Sequence, residues 1–182
     1  MNNYLKALIF LFVFLMLHFG YELTDWTFLT PFCGTNESVF QHLKMAFWSY
    51  LLLTVLIEYP FIRKKIEKRK ANKTIIVIGN FWYSRLLSVI MLPWIMLIVW
   101  YLLPAVYGKA ESLLVDLIWV IAVTYLSCFF VGYIEKETEK IEFRLSTKYI
   151  ILFLVLTSGF LFVWFTYKLP GVDLFTNPEV YK

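Results

Sequence analysis

The chain has 182 residues, of which 60% are hydrophobic, 20% aromatic and only 16% charged, with a formal charge of +4. Soluble domains carry about 25% charged residues, so this chain has too little polar surface to coat a water-soluble globule, and the bilayer must be its solvent. The positive charge does not mark a nucleic-acid binder, and none is expected as a partner: seven of the seventeen basic residues stand together in 63–73, between two apolar runs, as a membrane-flanking stretch does.

Taken in order, the first apolar run covers residues 5–23, and about 20 residues at 1.5 Å rise cross a hydrocarbon core of about 30 Å. After Leu17 come His, Phe, Tyr and Glu rather than the small residues of a signal-peptidase site, so this reads as a retained first helix. Residues 25–35, with Asp25, Pro31 and Gly34, form a turn-rich loop. Thr35 or Asn36 then suits the N-cap of a second helix running to about Ile62, with its span at about 43–62 and Glu58 near its far end. The basic stretch 63–73 follows, where anionic lipid would be attracted.

Residues 74–107 offer no clear loop, yet as one helix they would reach about 51 Å. The cluster Gly79-Asn80-Phe81-Trp82-Tyr83-Ser84-Arg85 predicts a break, because an arginine at the bilayer centre costs on the order of 3 kcal/mol. Arg85 is therefore expected at the interface, with the third span at about 86–106. A tight turn at Tyr107–Ser112 leads to a fourth span at about 113–134. A charged loop, Glu135 to Arg144, then precedes a fifth span at about 147–168 and an irregular tail. The predicted fold is all-α: an integral membrane bundle of about five transmembrane helices forming one domain over 1–182.

Orientation follows from the basic residues. With the N-terminus cytoplasmic, the inner segments hold Lys6, the seven of 63–73, Lys136, Lys140, Arg144 and Lys148, against Lys44, Lys109, Lys168 and Lys182 outside. The positive-inside rule selects that arrangement, a plasma-membrane protein with its C-terminus outside. Both histidines and Asp116 then share the outer face.

His18 and Glu22 are four apart and Asp25 three further on, one stripe of a helix that continues so far. Residues Thr35 to Lys44 hold Asn36, Glu37, His42 and Lys44. The expected ligand-binding set is His18, Glu22, Asn36, Glu37, His42, Lys44 and Asp116. Within it, His18, Glu22, Glu37 and His42 have the donor types for zinc or another divalent ion. There is no HExxH motif, and a hydrogen-bonded plug fastening the loop onto the helix ends explains the same residues equally well. At the inner side Glu58, Asn80 and Arg85 would form a polar group, with Glu58 paired to Arg85. Cys33 and Cys128 are isolated and match no zinc spacing.

The residues His18-Phe19-Gly20-Tyr21-Glu22 and Asn36-Glu37-Ser38-Val39-Phe40-Gln41-His42-Leu43-Lys44 resemble an uncharacterised family of small prokaryotic multi-pass membrane proteins with HFxY and NESxWEHxK elements. Asn80-Phe81, Gly108 with Asp116, and Leu174-Phe175 with Pro178 extend the likeness. Phe40 and Gln41 stand where the family shows Trp and Glu. The resemblance implies the helical architecture and an outer polar site, and it brings no activity with it.

Three functions fit these residues: a protein binding or transporting an ion, proton or small polar ligand at its outer face; a membrane-embedded metal-dependent enzyme of hydrolase type, with Glu37 or Glu22 as base; and a structural or assembly protein whose protein partners the sequence does not name. Transport requires polar residues through the membrane, and the middles of the spans read as dry.

Overall fold

The computed structural model describes residues 1–68, 74–108 and 112–176. The expected lipid-binding stretch 63–73 and the Tyr107–Ser112 turn therefore fall partly outside the described residues, as do Lys109, Pro178 and Lys182. Among the described residues there is no strand. The helices are α1 (Asn3–Thr24), α2 (Val39–Leu52), a π-helical segment (Leu53–Glu58), α3 (Tyr59–Lys68), α4 (Thr74–Tyr107), α5 (Leu113–Thr138) and α6 (Leu145–Tyr167). Five stretches are long and apolar enough to cross a membrane: Asn3–Thr24, Val39–Lys64, Ile78–Leu102, Leu114–Thr138 and Leu145–Tyr167. This is an all-helical, multi-pass membrane protein.

Apolar residues occur all round these helices, so only one face of each can be turned inward. On α1 the inward face carries Ala7, Phe10 and Phe14, while Leu8, Phe12 and Met16 point outward, as lipid-facing residues do. Helix α1 packs on α2 and α5, and α4 packs on α2, α5 and α6. Helix α6 is the outlier of the bundle: of its residues only Ile151 and Gly159 are buried. It meets α2 through aromatic contacts, with Phe47 and Phe162 ring centres 5.2 Å apart. Gly159 faces the same two side chains: a Cβ there would meet the Phe47 and Trp48 rings at 3.7 Å, an ordinary packing distance. The core midway between the ends is made of Phe10, Phe14, Met45, Phe47, Val89, Leu92 and Met96.

The predicted break at Gly79–Arg85 is absent. Helix α4 runs unbroken from Thr74 to Tyr107, and Arg85 lies inside the span Ile78–Leu102 and is only 4% exposed. The reason is electrostatic: Arg85 does not face lipid but sits among carboxylates. Its guanidinium donates to Glu139, and its Nε lies 3.5 Å from Glu58 and 3.4 Å from Glu135. Lys6 donates to Glu58 at 2.9 Å and to Glu135 at 2.5 Å, and the Tyr50 hydroxyl donates to the other oxygen of Glu135 at 2.7 Å. The expected Glu58–Arg85 pair is therefore present, but within a larger network. Asn80 is half-buried nearby in the chain without joining it. Glu135, expected in a loop, belongs to α5.

The π-helical segment aims Glu58 into this network. Eight residues of ideal α-helix would leave Glu58 about 80° away from the direction of Tyr50. One extra residue taken up by a π turn subtracts about 100° and brings the two back to within about 20°. The Tyr59 N–H accordingly reaches the Thr54 carbonyl, five residues back.

Candidate metal centre

At the opposite end of the bundle α1 finishes at Thr24, with Asp25 at φ 54° as its left-handed cap. The loop that follows folds back over α1. The Gly34 N–H donates to the Leu17 carbonyl at 3.2 Å, and Gly20 leaves room for the Cys33 sulfur, which a Cβ at residue 20 would meet at 3.0 Å. Burial raises the Cys33 thiol above its ordinary pKa. The helix that follows starts later than expected: Ser38, not Thr35 or Asn36, holds the N-cap position. Asn36 acts one step earlier, its Oδ1 accepting the Ser38 N–H at 2.9 Å. This side-chain turn presents Glu37 towards α1.

Three ligand atoms then converge, one each from His18, Glu37 and His42, all within 4.8 Å of one another. Glu37 Oε2 lies 3.5 Å from His18 Nε2 and 3.6 Å from His42 Nε2. Both distances are long for a hydrogen bond, which prefers about 2.9 Å. They are close to the edge of a tetrahedron of donors around an ion, about 3.4 Å for metal–ligand bonds of about 2.1 Å, while the trio as a whole spreads over up to 4.8 Å, so that the two imidazoles would draw together on a bound ion.

The protonation pattern of His42 is set by a neighbour. Its Nδ1 is 2.9 Å from the Ser38 carbonyl, which can only accept, so Nδ1 carries the hydrogen and the neutral ring offers the Nε2 lone pair towards Glu37. Such a bond from the remote nitrogen orients metal-binding imidazoles generally. The His42 ring is held between Phe14 and Trp100, with ring centres 6.2 and 5.5 Å away. His18 Nδ1 is buried with no hydrogen-bond partner. Exposure rises across the trio, from 4% for the His42 side chain through 19% for His18 to 48% for Glu37, so an ion could enter from the Glu37 side. The Glu37 carboxyl lies below its ordinary pKa, chiefly through the neighbouring His18 imidazole and despite partial burial.

The remaining expected site residues are placed apart from the trio. Glu22 is exposed and has no bond to either histidine. Asp116 is exposed in the first turn of α5. Lys44 is buried, but its ammonium donates to the Thr30 carbonyl at 2.8 Å and to Thr166 at 3.3 Å, which ties the loop to α6. Gln41 is buried, its Oε1 without a partner. No protein-family model matches the chain, and no curated protein or solved structure does either.

Proposed function

We propose that this protein sits in the plasma membrane with its N-terminus cytoplasmic and binds a divalent transition-metal ion at its outer end through His18, Glu37 and His42. The observation that carries this reading is the convergence of three lone-pair donors with no cation among them, one imidazole already oriented by the Ser38 carbonyl. Two imidazoles and a carboxylate form a donor set suited to zinc, and they leave a fourth position open. Membership of the prokaryotic family that the NES…HLK stretch resembles belongs to the same proposal.

Binding is preferred over transport and hydrolysis on two observations. The path from His18 to Lys6 along α1, about 18 Å for twelve residues, passes Phe14 and Phe10, both buried in the dry core. Among the described residues no second carboxylate joins the trio to serve as a general base.

The test is metal analysis and zinc titration of the detergent-purified full chain beside His42→Ala and Glu37→Gln. One bound ion per chain, lost from both variants, is the expected result. A wild-type chain that takes up no zinc, cobalt or manganese while all three proteins give the same helical spectrum would make the trio a fastening of the loop onto α1.

A further inference from the structure

The ion-pair end of the bundle contains a cavity of about 350 Å³ that none of the foregoing uses. Its charged lining comes from four helical elements: Lys6, Glu58, Arg85, Glu135, Lys136 and Glu139. The volume lies within the range of small-molecule sites, about 300–1,000 Å³. The surrounding side chains restrict the kind of molecule that fits.

The first restriction is charge. Three carboxylates face two ammonium groups and a guanidinium, so the lining attracts neither a plain anion nor a plain cation. A molecule carrying both signs matches it.

The second restriction is hydrogen bonding. Glu135 is fully engaged, one oxygen by Lys6 and the other by Tyr50. Arg85 is not: its Nε is buried and makes no hydrogen bond, although Glu135 and Glu58 stand 3.4 and 3.5 Å away. Glu58 is not either: its Oε2 accepts from Lys6, while among the described residues nothing donates to its Oε1. These two groups are neighbours, with Arg85 Nε 3.5 Å from the Glu58 Oε2 that Lys6 engages, so that Oε1 is the oxygen left to a ligand. An unmet donor and an unmet acceptor side by side, in a low-dielectric site, call for a ligand that supplies an acceptor and a donor a few ångströms apart.

The third restriction is the rim. Phe61 and Ile62 complete the wall on the side of α3, and Phe61 is 71% exposed on a helix that emerges from the membrane. Apolar chains attached to the ligand would lie there.

We infer that this cavity receives a primary ammonium joined to a phosphate, the headgroup of an aminophospholipid. The ammonium donates to Glu58 and Glu139, and the phosphate accepts from Arg85 and from Lys136 at the edge. The acyl chains run past Phe61. Glu58 distinguishes this headgroup from its neighbours in the bilayer, since a trimethylated ammonium has no hydrogen to donate and a glycerol headgroup has no positive charge.

Native mass spectrometry of the delipidated full chain tests this, with phosphatidylethanolamine, phosphatidylcholine and phosphatidylglycerol offered in equal amounts and O-phosphoethanolamine offered separately. The ethanolamine lipid should be retained about tenfold over the other two, the worth of one charge-assisted hydrogen bond. Glu58→Gln should abolish that preference. Because Glu58 also pairs with Lys6, Lys136→Glu is the second variant; Lys136 is exposed at the cavity edge, so the fold survives while the phosphate contact becomes repulsive. Equal retention of the three lipids, or a preference untouched by both variants, overturns the inference. Capture of O-phosphoethanolamine alone supports the ammonium–phosphate chemistry and overturns the lipid as its source.

Discussion

The two ends of this bundle gather ionisable side chains in opposite ways. At the ion-pair end the groups are of both signs and stand on helices, and Lys6, Glu58 and Glu135 side chains are at most 3% exposed. Lys6 closes on Glu58 and Glu135 at 2.9 and 2.5 Å, and Arg85 Nε stands 3.4–3.5 Å from the same carboxylates. At the histidine end the groups are all lone-pair donors, one of them rides on a loop, and the contacts stop at 3.5 and 3.6 Å. Opposite charges brought together largely satisfy one another, and the product is a joint between helices. Donors of one kind brought together remain unsatisfied until a cation arrives. Burial alone does not reveal which of these a polar cluster is. The signs of the partners do.

This contrast is sharpest in stability. Lys6→Ala should cost about 3–5 kcal/mol, because it strands Glu58 and Glu135 in a buried site. Thermal unfolding in detergent would show it with or without metal. A loss below 1 kcal/mol would mean that the network is not the joint described here. His42→Ala should show a dependence on metal. The metal-free variant should already be the less stable by about 2–4 kcal/mol, because it empties a buried ring site, and zinc at a hundred times its Kd should stabilise only the wild type, by about 2.7 kcal/mol more.

The smallest effect is at acid pH and concerns Glu37. Its folded pKa is below the ordinary 4.5, so its stabilising contribution is complete above 4.5, declines as pH falls towards the lowered value and is gone beneath it. Glu37→Gln should therefore lower the neutral plateau slightly and flatten the shallow acid limb, so that the two proteins converge at low pH. The effect is shallow because the side chain is half exposed and screened by water.

The spans were legible because twenty-residue apolar runs separated by charged or turn-forming segments have few other solutions. The trio was legible in part: His18, Glu37 and His42 were read as donors from their types and neighbourhood. Glu22 has the right chemistry and the right spacing from His18, yet it is exposed, because the loop folds over a different side of α1. That direction depends on the loop's backbone, with its Gly34–Leu17 bond and the Asn36 turn, which spacing does not encode. At the other end Glu58 and Arg85 could be paired from the sequence, but Lys6 and Glu135 could not. Lys6 resembled an ordinary flanking charge and Glu135 the start of a loop. Only the packing of α1 on α5 brings residues 129 positions apart into contact. The unbroken α4 has the same origin: a buried arginine looked too costly because its three carboxylate partners come from elsewhere in the chain.

The π-helical segment carries an implication for how this sequence tolerates change. Leu53–Glu58 holds one residue more than a straight helix needs to keep Tyr50 and Glu58 in line. Such a surplus makes this the stretch of the second span where a residue can be subtracted without turning everything beyond it. Removing Leu56, which faces outward and is 65% exposed, would restore an α-helix with Glu58 still directed at Lys6. The same excision inside α1 or α5 would swing every later side chain by about 100°. The second span is thus one residue longer than its aim requires, and a lineage could lose that residue while keeping the charged joint.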